Sequence, residues 1–101
     1  METSIFKENN NFTAMLSGRL DTLASPAFER DIAPLKENAD KSIVLDCKEL
    51  EYISSSGLRV FLSLLKTVKA AGGSLTIRNI NNEIRNIFTI TGFQKIFNIT
   101  D

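Results

Sequence analysis

The stretch from Ile43 to Ile77 leaves this chain few folds to choose from. Ile43-Val44-Leu45 is a continuous apolar run bounded by polar residues, the pattern of a strand buried on both faces. After Cys47-Lys48-Glu49-Leu50-Glu51-Tyr52-Ile53 come Ser54-Ser55-Ser56-Gly57, then Leu58, Phe61, Leu62, Leu65 and Val68 on one face of a helix. Gly72-Gly73 closes that helix, because glycine enters the left-handed conformation without a Cβ penalty, and Ser74 to Arg78 alternates as a strand. Two strands joined by a helix run parallel, and their crossover is right-handed. Ile43 to Asp46 is therefore expected as a central strand. Val60, Leu64 and Lys66 fall at the margins of the apolar face, where they could meet a partner or form a second core face.

The flanks extend the unit to a whole domain. Ser4 to Lys7 and Phe12 to Leu16 surround the turn-rich Glu8-Asn9-Asn10-Asn11, which predicts an N-terminal hairpin. Ser25-Pro26 reads as an N-cap followed by the first helical residue, and Phe28, Ile32 and Leu35 give that helix an apolar face, with Pro34 predicting a kink or early stop. Ile84, Ile87 and Phe88 mark a third helix ending near Gly92, followed by an apolar tail of Phe93, Ile96 and Phe97. The sum is an α/β fold with a mixed four- or five-stranded sheet backed by helices. All 101 residues are expected to form one domain, without repeat or linker.

Composition removes several classes of function. Twelve basic residues balance twelve acidic ones with no basic stripe, which argues against nucleic acid and for a protein partner. The chain contains no histidine, so Ser-His and Cys-His nucleophile pairs and histidine metal sites are excluded. The single cysteine, Cys47, cannot form an internal disulfide and reads as a small apolar residue at a strand end. No metal or cofactor is expected, and the chain is read as no enzyme. Apolar runs are far shorter than the ~20 residues of a membrane span. The start METSIFKENN lacks the apolar core of a signal peptide, so the expected compartment is the cytoplasm.

Three serines before Gly57 place hydroxyls beside the unsatisfied N–H groups of a helix N-terminus, a spot that welcomes an anion. Local grammar alone reads the same residues as a helix cap and a tight turn. The combination of Ile43-Val44-Leu45-Asp46, Tyr52-Ile53-Ser54-Ser55-Ser56-Gly57-Leu58, Gly72-Gly73-Ser74-Leu75 and Thr91-Gly92-Phe93, preceded by Gly18-Arg19-Leu20-Asp21, resembles a STAS domain of the stand-alone bacterial anti-sigma-factor-antagonist type. The family pattern at the serines is Asp-Ser-Ser/Thr-Gly-Leu. Ser54 here stands where the acidic residue is usual.

The resemblance implies a phosphorylation-switched binding protein of transcription regulation. Unphosphorylated, it would bind a kinase-type anti-sigma factor; a phosphate on Ser55 would release it, and a phosphoserine phosphatase would restore it. Asp21, Ser54, Ser56 and Gly57 would shape the site or touch the partner. Asp46 is a second expected neighbour of the phosphate, or else a strand-end residue bonding local backbone. The protein is expected to be a monomer or weak dimer. The alternative implied is a non-switching STAS scaffold or nucleotide-sensing module of a larger assembly or transporter.

Overall fold

A computed structural model describes all 101 residues. Five strands, β1 (Glu2–Glu8), β2 (Asn11–Leu20), β3 (Ser42–Ile53), β4 (Ser74–Arg78) and β5 (Asn98–Thr100), lie in one sheet in sequence order. The first pair is antiparallel and the rest are parallel. The hairpin is tight: Glu8 faces Asn11, and Asn9 takes the positive φ that the turn demands, 57°. Each parallel step moves one place in the same direction, so right-handed crossovers stack every helix on the same face. Burial records this. Ala14, Leu16, Ile43, Leu45 and Ile77 are buried beneath the helices, while the intervening Met15, Val44 and Thr76 look to the open side.

The helices are α1 (Ser25–Asp31), α2 (Ala33–Glu37), α3 (Ser55–Ala71) and α4 (Asn82–Thr91). Pro34 acts as anticipated: the first helix stops, and the chain restarts at Ala33 with the proline in the first turn of α2, where its missing N–H costs no hydrogen bond. Gly72 and Gly92 end their helices in left-handed geometry. Gly73 has a different reason to be glycine, since a Cβ there would overlap the backbone carbonyls of Ala39 and Lys41.

Phe61 of α3 is the hub of the core. Its ring lies 5.8 Å from that of Phe28 in α1, and 6.4 Å from those of Phe88 in α4 and Phe97. These contacts hold three helices and the C-terminal segment over the sheet. Of the two readings of Val60 and Leu64, the second core face holds, since both are buried. Three expectations need correction. Leu62, expected on the apolar face of α3, is its half-exposed margin. The apolar tail turns through a short 3-10 segment, Phe93–Lys95, and becomes the fifth strand. Strand β3 also runs on to Ile53, twice gaining an extra residue against β2 beyond Asp46, while the ordinary alternation of the strand puts adjacent Asp46 and Cys47 on opposite faces.

Candidate functional site

The ends of β2 and β3 meet the start of α3, joined by a 2.8 Å bond from Ser54 N–H to the Leu20 carbonyl. Ser54 is the N-cap of α3: its backbone is extended, and its hydroxyl oxygen accepts from Gly57 N–H at 3.1 Å. Gly57 is required by close packing, because a Cβ there would lie 2.7 Å from Leu20 Cγ. The cap faces inward, and Ser54 is only 7% exposed.

From this cap a line of hydroxyls leads into α1. Ser54 Oγ lies 3.0 Å from Ser56 Oγ, which lies 3.0 Å from Ser25 Oγ, and Ser25 donates to the Asp21 carbonyl at 2.9 Å. A hydroxyl has one proton, and a carbonyl only accepts. The last bond therefore orients the others: Ser56 donates to Ser25, and Ser54 donates to Ser56. The hydroxyls of Ser25, Ser54 and Ser56 are thus spent on structure. Ser55, at the first position of α3, is exposed, and none of these bonds uses its hydroxyl.

Asp21 serves the same junction, its carboxylate accepting from Ala24 N–H at 2.9 Å. It takes over the capping role expected of Ser25, which lies inside α1, behind the N-cap residue Ala24. Asp21, Ser54, Ser56 and Gly57 are therefore brought together around Ser55. Asp46 is not. It lies eight residues back from Ser54 along β3, more than about 20 Å at the usual rise of a strand. Its partners are Lys48 N–H at 3.1 Å, Asn79 at 3.1 Å and Arg78 at 3.2 Å. Burial acts to raise its pKa, but these hydrogen bonds and the Arg78 charge outweigh burial and hold the carboxyl below its ordinary value. Asp46 is a clamp between β3 and the end of β4.

Cys47 projects into the core. Burial, aided by the Asp46 carboxylate, pushes its thiol up to about 12, far from the thiolate that nucleophilic chemistry requires. Beside the serines an open groove of about 410 Å³ runs between α1 and α3, lined by Thr22, Ser25, Glu29, Ser56 and Arg59 among others. Leu23, in the loop after Asp21, is 91% exposed. Neither Leu23 nor Arg59 stands out in the sequence: an isolated leucine in a loop carries no periodic signal, and Arg59 is one of twelve basic residues.

Fold and site together define a small α/β domain that presents one exposed serine hydroxyl at a serine-capped helix N-terminus. The chain belongs to the STAS domain family, whose model matches residues 5–101. It is 32% identical over 101 residues to an anti-sigma-B factor antagonist of Bacillus subtilis, spanning 99% of this chain and 91% of that protein. An anti-sigma factor antagonist from Mycobacterium paratuberculosis superimposes with a TM-score of 0.82 at 22% identity, covering 98% of this chain and 84% of the other. The Bacillus cell fate determinant SpoIIAA, solved in its phosphorylated form, superimposes at 0.74 with 18% identity, covering 99% and 92%. No helix is long and apolar enough to cross a membrane.

Proposed function

We propose that this protein is an anti-sigma-factor antagonist that binds a kinase-type anti-sigma factor in the bacterial cytoplasm and is released when Ser55 is phosphorylated. The observation that carries the reading is the contrast among the serines: Ser54 and Ser56 are tied into the cap and the hydroxyl line, and Ser55 is exposed beside them. In this reading the protein acts by binding rather than by catalysis, which the name of its Bacillus subtilis relative, an anti-sigma-B factor antagonist, supports. A phosphate at Ser55 brings about −1.5 to −2 charges to a helix N-terminus, where the macrodipole favours them, so the fold is retained while the surface changes sign. A phosphoserine phosphatase would reset the switch, and neither step needs a cofactor on this chain.

The experiment is calorimetry of wild type, Ser55→Ala and Ser55→Asp against the cognate anti-sigma factor, with mass spectrometry after incubation with ATP. Phosphate should map to Ser55, Ser55→Ala should bind constitutively, and Ser55→Asp should bind roughly 5- to 150-fold more weakly, the usual range of a regulatory coupling. Equal affinities with phosphate at another residue would overturn the switch and favour a non-switching scaffold.

A further inference from the structure

Helix α3 carries Arg59, Lys66 and Lys69 and not one carboxylate over its 17 residues, in a chain whose formal charge is zero. All three cations are exposed and none is in an ion pair. Arg59 follows Ser55 by four residues, the spacing that places two side chains one above the other on a helix, with Cβ atoms ~5 to 6 Å apart. Lys66 is eleven residues from Ser55, about 16 Å along the axis and beyond reach of that turn. Arg19, at the end of β2, lies over the Tyr52 ring at 4.6 Å. The other charges near the groove are Glu29 across it on α1, Asp21 at its end and Lys36 of α2, which donates to Ser63 at 3.0 Å.

We infer that Arg59 is the built-in counter-ion of a phosphate on Ser55. This rests on the reading of Ser55 as the modified residue. The guanidinium fork matches two phosphate oxygens, and the side chain already lines the groove wall beside Ser56, so it reaches the phosphate by a rotamer change. The phosphate is a stronger anion than Glu29 and lies on the same helix face as Arg59. Pairing has two effects. It holds the phosphate against the first turn of α3, and it withdraws the first cation of the helix from any partner that contacts it. Phosphorylation thus removes a positive surface as well as adding a negative one.

The test uses the full chain with phosphoserine installed at position 55, as wild type, Arg59→Lys and Arg59→Gln, and follows the phosphorus resonance through a pH titration. The second pKa of the phosphate, ordinarily near ~6, should be lower in the wild type than in Arg59→Gln by roughly 0.15 to 0.4 pH units, with Arg59→Lys between them. The gap should shrink in about 0.5 M salt. Because the helix dipole is common to all three proteins, identical titrations for wild type and Arg59→Gln would overturn the inference. Circular dichroism checks that the exposed substitutions leave the fold intact. Installing the phosphoserine separates this outcome from the reading it rests on: whether the host modifies Ser55 is decided by mass spectrometry of the native protein.

Discussion

Ser56 and Ser25 are 31 residues apart in the chain, and their hydroxyls share a 3.0 Å hydrogen bond that ties the first turn of α3 to the first turn of α1. Each also bonds a further group, Ser54 in one direction and the Asp21 carbonyl in the other, so the pair belongs to one directed line. Ser56→Ala and Ser25→Ala should each lower unfolding free energy by about 1 kcal/mol, the usual net value of such a bond. The double variant should lose less than the sum, because either change breaks the shared link. Ser55→Ala should fall within ~0.5 kcal/mol of wild type, as a surface substitution does. Urea denaturation of the four variants checks the set. Equal losses at Ser55 and Ser56 would contradict the assignment of free and tied hydroxyls.

Ser54 caps its helix without a charge. Ser54→Ala should cost ~1 kcal/mol, from the lost acceptor for Gly57 N–H. Ser54→Asp should keep that bond, but a carboxylate only accepts hydrogen bonds at neutral pH, so Ser56 must divide its single proton between the introduced carboxylate and Ser25. In that background Ser56→Ala and Ser25→Ala should therefore become more nearly additive. Repeating the double-mutant cycle on the Ser54→Asp protein measures this.

The clamp at Asp46 gives the fold an acid limb. Its carboxyl titrates below the ordinary 3.8 in the folded protein, so its contribution to stability is complete above that unfolded-state value and is lost as pH falls through the lower folded one. Stability measured from roughly pH 5 down to pH 2 should decline less steeply in Asp46→Asn than in the wild type, and the variant should be the less stable of the two at pH 7. Parallel acid limbs would show that Asp46 is not the group responsible.

Leu23 is the most exposed large apolar side chain of the chain and sits in the loop beside Asp21. Under the proposed function, burying this leucine against the anti-sigma factor would contribute about 1.5 to 3 kcal/mol. Leu23→Ser should weaken that binding roughly tenfold or more, with the denaturation midpoint unchanged. Surface plasmon resonance of the variant, with its urea curve as control, checks both halves.

Local rules legible in the residues themselves account for much of this protein. The run at Ile43 to Leu45, the glycine stops and the alternation at Ser74 to Arg78 specify a parallel βαβ unit, because strand burial, helix termination and crossover handedness depend on neighbours in the chain. The serines announce a helix N-terminus for the same reason: capping is settled within four residues. What the tertiary structure decided was the difference among those serines. Ser56 is bound because Ser25 arrives from another helix, Ser54 turns inward because Leu20 anchors its backbone, and Ser55 is free because nothing reaches it. The placement of Asp46 away from the serines, the burial of Val60 and Leu64, and the fifth strand from Asn98 to Thr100 also depended on distant partners. A hydroxyl's partner across 31 residues, or a second apolar row on a helix, follows from how layers pack, and no window of sequence contains both sides of such a contact.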